Sequence, residues 1–183
     1  MSERLDVTVR PVRWEDFDDL RETYFQLYDE RDAGEPIGIH LFAERPSLAD
    51  EADWFAAAFR KAAKGDAIFL VAEVEGHAVG SCTVARLDPA KGSETAHVGE
   101  LGILVRRGFR GRGVGTALFE RSIAEAPKLF EIVFLSVFSV NTGAHRLYER
   151  YGFRDCGHLP AAVKRGGQYL DMERMFLDLR SPR

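Results

Sequence analysis

The sequence predicts a mixed α/β fold, with one central sheet covered by helices, and three observations carry that expectation. Two early segments, Trp14 to Tyr28 and Trp54 to Ala62, repeat their apolar residues at helical spacing. From Ala67 the period changes to β-rich runs. Two of these, Val98 to Val105 and Ile132 to Val140, are almost continuously apolar, as in strands buried on both faces.

Each element follows in order. Leu5 to Val12 alternates apolar and polar residues and reads as a strand. Trp14, Phe17, Leu20, Tyr24, Leu27 and Tyr28 form one helical stripe with acids between them. Asp32 to Pro46 is an irregular connection punctuated by glycine and proline. Ser47-Leu48-Ala49-Asp50 resembles a capping box and opens a second helix that Gly65 ends. Ala67 to Val74 and His77 to Ala85 form a hairpin around Glu75-Gly76. Asp88 to Ser93 is a loop, Ala96 to Val105 a strand, and Thr116 to Ala126 a helix. Ile132 to Val140 is a strand, and Asn141 to Tyr151 is a short helix with Asn141 at its N-cap. Phe153 to His158 and Gln168 to Leu179 are the last strands, joined by a loop from Leu159 to Gly167. The order is β-α-α-β-β-β-α-β-α-β-β.

Composition narrows the function classes. A chain of 183 residues with 45% apolar and 30% charged residues suits one soluble domain, with its core about 7–179. The balance of 25 basic against 29 acidic residues disfavours a broad nucleic-acid surface. No apolar run approaches the ~18 residues of a membrane span. Met1 to Asp6 lacks the apolar stretch of a signal peptide. Cys82 and Cys156 have no metal or redox spacing, so reduced, packed thiols and a cytoplasmic location are expected. Ser181 to Arg183 reads as a loose tail.

The run Arg110-Gly111-Arg112-Gly113-Val114-Gly115 lies between an apolar strand and a helix. Glycines let the backbone approach a ligand, and amides at a helix N-terminus attract anions. No Gly-Lys-Ser/Thr occurs, which excludes a P-loop. A dinucleotide fingerprint begun at Gly111 or Gly113 would end on Thr116 or Leu118, so that pattern fails too. What remains is R-x-x-G-x-G. An Arg/Gly-rich surface turn, with Arg106, Arg107, Arg110 and Arg112 tethering nucleic acid, is the competing reading. Farther on, Asn141 and Tyr148 stand seven residues apart, roughly on one helical face, with the small Ala144 between them. They suit a ligand lying along that face, or else a cap and a core tyrosine.

The glycine run and N-x-x-A-x-x-L-Y-x-x-x-G-F, in this order and at this distance, resemble the GNAT superfamily of acetyl-CoA-dependent N-acetyltransferases. The likeness covers nearly the whole chain, from Val9-Arg10-Pro11 before the acidic helix to the closing segment Lys164 to Leu179. It implies the acyl-CoA N-acyltransferase fold. That is a mostly antiparallel sheet of about seven strands, helices on both faces, splayed between its fourth and fifth strands. It also implies an acyltransferase that moves an acetyl group from the cosubstrate acetyl-CoA to a primary amine of a small molecule or peptide, with no metal. A homodimer is a family-level expectation. The alternative is a non-catalytic acyl-CoA-binding regulatory module on the same fold.

The resemblance also assigns roles. The amides of Arg110, Gly111, Arg112, Gly113, Val114, Gly115 and Thr116 would bind the coenzyme A pyrophosphate, with Arg110 and Arg112 adding charge. The backbone of Ile103, Leu104 and Val105 would pair with pantetheine, beside Asn141 and Ala144. Tyr148 would be the general acid, since an ordinary phenol, pKa near ~10, serves a thiolate of ~8.5. A backbone N–H around Leu104 would stabilise the developing oxyanion. Glu100 could accept the amine proton, directly or through water, or be a solvent-facing strand carboxylate. His97 faces away from Glu100 in a regular strand, and His145 is expected to be exposed. Eight acids against Arg31 and Arg45 between Asp29 and Asp53 either attract a cationic amine or form solvated surface. Lys164 and Arg165 could meet an acceptor carboxylate, the coenzyme A 3′-phosphate, or nothing.

Overall fold

The computed structural model describes residues 5–35, 37–86 and 93–180. Its elements are β1 (Thr8–Pro11), a 3₁₀ turn (Trp14–Asp16), α1 (Phe17–Asp32), α2 (Leu48–Ala63), β2 (Ala67–Val74) and β3 (His77–Arg86). There follow β4 (Val98–Val105), α3 (Val114–Glu125), a second 3₁₀ turn (Ala126–Lys128), β5 (Ile132–Phe138), α4 (Thr142–Arg150), β6 (Arg154–Arg165) and β7 (Gln168–Asp178). The expected order holds. The loop expected at Asp88 to Ser93 falls, apart from Ser93, outside the described residues, as does the tail.

Local chemistry explains the boundaries. Ser47 Oγ accepts the Asp50 amide and Asp50 Oδ2 accepts the Ser47 amide, at 3.2 and 3.0 Å, which starts α2. Glu75 and Gly76 both have positive φ, 52° and 85°, as a two-residue hairpin with the native strand twist requires. The β5 strand stops two residues early, because the Asn141 amide turns back onto the Phe138 carbonyl at 2.8 Å.

The segment expected as a loop, Leu159 to Gly167, is mostly strand. It lies in β6, with register shifts between Asp155 and Gly157 and between Leu159 and Val163, and only Gly166-Gly167 remains as the turn. Pro160 is tolerated because β6 is the sheet edge, and a bulge absorbs the missing donor. Asp171 Oδ1 takes the Ala161 amide at 2.8 Å inside that bulge.

The seven strands run β1-β2-β3-β4-β5-β7-β6, antiparallel except between β4 and β5. In β2, Ile68, Leu70, Ala72 and Val74 enter one core, with Val114, Leu118 and Phe119 of α3. Phe69 and Val71 enter a second core, with Leu20 of α1 and Phe55 of α2. A strand buried on both faces therefore separates two helical layers, which is why its sequence shows no polar alternation. No helix among the described residues is long and apolar enough to cross a membrane.

Candidate active site

The sheet opens where the sequence motifs meet. β4 and β5 pair only at Val98–Ile132, Gly99–Val133 and Glu100–Phe134. Beyond Glu100 the two strands diverge, and each keeps its outer neighbour, β3 or β7. The register decides which β4 amides face the opening. The Arg106 amide donates to the Val79 carbonyl at 2.8 Å. Along an antiparallel ladder the direction alternates. Leu104 therefore points its N–H at Ser81 of β3; the Leu101 N–H is taken by β5 at the last bridge, Glu100–Phe134, and Ile103 and Val105 point theirs into the gap. This corrects the donor expected around Leu104: the neighbouring Ile103 and Val105 offer theirs instead. The Leu104 side chain lies on the α1–α2 face.

The glycine run carries β4 into α3. Gly108, Gly111 and Gly113 have φ of 86°, 71° and 89°, and Gly113 is the N-cap of α3. Among the described residues, no loop or side-chain acceptor takes any amide from Arg110 to Thr116. Seven successive unpaired donors at a helix N-terminus make a concave anion site. Gly113→Val is expected to cost about 1–3 kcal/mol through strain at this φ. It should also raise the acetyl-CoA Kd, read by thermal unfolding and calorimetry.

The two arginines differ. Arg110 sends both terminal nitrogens to Glu30 of α1, at 2.5 and 3.0 Å, and Nε to the Val105 carbonyl at 2.8 Å. It ties the loop to α1 rather than lying open to a ligand. Among the described residues Arg112 bonds only the Gly108 carbonyl, at 3.5 Å, and its buried Nε has no partner.

Across the opening stands α4. Asn141 Oδ1 accepts the Ala144 amide at 3.3 Å and caps the helix. Gly38 presses on the Asn141 carboxamide so closely that a Cβ there would collide with it. Tyr148 is 6% exposed, against Phe119 and Phe153 with ring centroids 5.3 and 6.0 Å away. Burial, with a smaller contribution from the nearby Cys82 thiol, pushes its phenol up to about 12. Cys82 is the register partner of Ile103, so the phenol stands near the level of Ile103. Among the described residues, no group hydrogen-bonds the Tyr148 hydroxyl.

Glu100 is exposed and, by strand alternation, shares the face of Leu104. His97 is exposed just before β4, and its carbonyl accepts the amides of Glu131 and Ile132. His145 is half-buried rather than exposed, with Glu173, Asp155 and Glu149 at 3.0, 3.2 and 3.5 Å. Four of the eight acids weighed as a lure for a cation are ion-paired: Asp29 with Arg45, Glu30 with Arg110, Asp32 with Arg31 and Glu35 with Arg107. Arg165 donates to the Ile37 and Ile39 carbonyls at 3.0 and 2.7 Å, fastening the α1–α2 connection.

That connection roofs a cavity of about 410 Å³, walled by Phe17, Tyr24, Phe42, Trp54, Phe55 and Phe69 and reaching Leu104 and Ser81 of the sheet. Its charged members are Arg21, Asp50 and Glu51. Burial raises the Glu51 carboxyl, with Asp50 adding to the effect. Asp50 and Glu51 are among the acids weighed from sequence for a cationic amine, whereas Arg21 and the aromatic wall carry no such expectation. A signal existed in α1: Arg21 interrupts the stripe Phe17, Leu20, Tyr24 with a cation.

Known proteins share this arrangement. An uncharacterized N-acetyltransferase of Methanocaldococcus jannaschii is 34% identical over 152 residues, 81% of this chain and 61% of that protein. The L-amino acid N-acetyltransferase AaaT of Escherichia coli is 32% identical over 104 residues, 56% of this chain and 62% of its own length. The chain thus spans about six tenths of these relatives. The fold of yncA from Salmonella typhimurium, solved with its cofactor acetyl-CoA, superposes with a TM-score of 0.79 at 21% identity, over 97% of this chain and 96% of that one. With a match to the family as a whole across residues 4–153, this chain belongs to the Acetyltransferase (GNAT) family.

Proposed function

We propose that the protein transfers an acetyl group from acetyl-CoA to a primary amine of a small molecule or peptide, by direct attack in a ternary complex. One observation carries the reading. Seven unpaired amides adjoin a strand edge that is open from Gly102 to Val105. A diphosphate followed by an extended amide-bearing arm matches both, the first by charge and the second by strand pairing. The relatives' names and the acetyl-CoA-bound fold neighbour support it.

The cosubstrate supplies an acetyl group activated as a thioester. The chain's residues then divide the work between the two faces of the sheet. The amides of Arg110 to Thr116 hold the diphosphate, with Arg112 adding positive charge and Arg110 fixing the loop. Ile103 and Val105 pair with the extended arm beside Asn141 and Ala144. The Ile103 N–H, already aimed into the gap, stabilises charge developing on the carbonyl oxygen. Tyr148 donates its O–H toward the departing sulfur from the α3 side. Glu100 takes the amine proton from the α1–α2 side. It stands three residues, about 10 Å, from Ile103 along the strand, so the proton travels through water.

Thiol release over a panel of amines is the test. Release that saturates in acetyl-CoA and in amine is expected, with Glu100→Gln lowering kcat/KM by about tenfold or more at neutral pH. Acetyl-CoA binding without release from any amine would overturn the transferase reading and leave a regulatory binding module.

A further inference from the structure

The cavity between α1, α2 and the sheet is apolar and aromatic over most of its wall, yet it contains an ill-matched cation. Arg21 lies within 5.9 and 6.0 Å of the Phe17 and Phe25 ring centroids. One terminal nitrogen meets Asp18 at 3.1 Å, a surface partner whose side chain is 82% exposed. Its Nε is buried with no partner. A buried N–H without an acceptor costs free energy until one arrives, and a guanidinium edge suits a carboxylate. Glu51 lines the same cavity from the first turn of α2. It is an anion in a partly dry setting, matched in sign to an ammonium. Phe42 and Trp54, 71% and 54% exposed, add apolar surface to the wall. Leu104 and Ser81 close the floor beside the open edge of β4.

Resting on the transferase reading, we propose that the acceptor is a free α-amino acid with a large apolar side chain, whose carboxylate is held by Arg21. The aromatic wall takes the side chain, and Glu51 faces the incoming ammonium. A polyamine meets like charge at Arg21. A peptide N-terminus has no carboxylate beside its amine. A polyhydroxylated amine wastes the aromatic surface.

The test compares L-phenylalanine, L-phenylalaninamide and spermidine by thiol release, with saturating acetyl-CoA and the full chain. Phenylalanine should exceed its amide in kcat/KM by about tenfold or more, the scale of one charge-assisted hydrogen bond. Arg21→Gln should reduce that ratio to near one by raising KM for the acid. Equal turnover of acid and amide by the wild-type protein, or preference for spermidine, overturns the inference whatever the variant does. If no amine releases thiol, the transferase reading fails, and calorimetric binding of phenylalanine against its amide decides the Arg21 site separately. Tighter binding of the acid upholds it, and equal or absent binding removes it.

Discussion

Replacing Tyr148 with Phe is expected to lower kcat by about ten- to a hundredfold, the worth of one hydrogen bond to a developing charge. The acetyl-CoA Kd should stay within about twofold, because the ring keeps its contacts with Phe119 and Phe153. A packing role alone would lower stability instead and leave kcat intact. The raised phenol sharpens the mechanism. At about 12 it stays protonated at neutral pH. Full transfer of its proton to a thiolate of about 8.5 is then uphill by more than three units. In the proposed mechanism Tyr148 would therefore act by donating a hydrogen bond as charge builds on sulfur, and the alkaline limb of the rate profile would belong to another group. Stability gives a second readout. Folding raises the Cys82 thiol from 9.0 and the Tyr148 phenol from 10.0, both to about 12. Acids held protonated by the fold contribute their stability below the unfolded values and lose it as pH rises. Unfolding free energy should fall from about pH 9 to about pH 12, and Tyr148→Phe should flatten the part above pH 10. Denaturant titrations across that range check it.

Most of the fold was legible because two periods alternate cleanly along the chain. The capping box at Ser47 and the Glu75-Gly76 turn are local signals whose geometry needs no tertiary context. The second half of β6, from Leu159, was not legible. Its Pro160 and paired glycines read as a loop, and only its place at the sheet edge, opposite β7, makes those residues tolerable. The site divides in the same way. Positive φ and unpaired amides in the glycine run follow from its residues and its position before a helix. The amide that faces the gap does not, because it depends on the β3–β4 register, and a shift of one residue exchanges Leu104 for Ile103 or Val105. The cavity under α1 and α2 left faint traces in the sequence: Arg21 inside an apolar stripe, and the acids Asp50 and Glu51. The partners that make it a wall come from α2, β2 and the α1–α2 connection, far apart in sequence.

Arg110→Ala is expected to destabilise the protein by about 2–4 kcal/mol, more than any single change in the glycine run itself. Breaking a buried pair typically costs about 3–5 kcal/mol because the surviving charge is left without compensation. The lower range reflects solvent at Arg110, whose side chain is 39% exposed and so partly screened. Glu30 is the survivor, its side chain 2% exposed, and among the described residues its carboxylate is bonded by Arg110 alone. Glu30→Ala should cost less, since the freed Arg110 reaches solvent. The double variant should recover part of the loss, which a double-mutant cycle measures by denaturant unfolding. The same experiment separates two roles for the motif's first arginine. If Arg110 served as a direct phosphate charge, Glu30→Ala would release it and tighten acetyl-CoA binding, with a steeper salt dependence. Because the fork instead fixes the loop to α1 and to the Val105 carbonyl, Glu30→Ala should weaken binding by loosening the seven amides. Arg112→Ala should then act differently, weakening binding with little effect on stability, because among the described residues its guanidinium bonds only the Gly108 carbonyl.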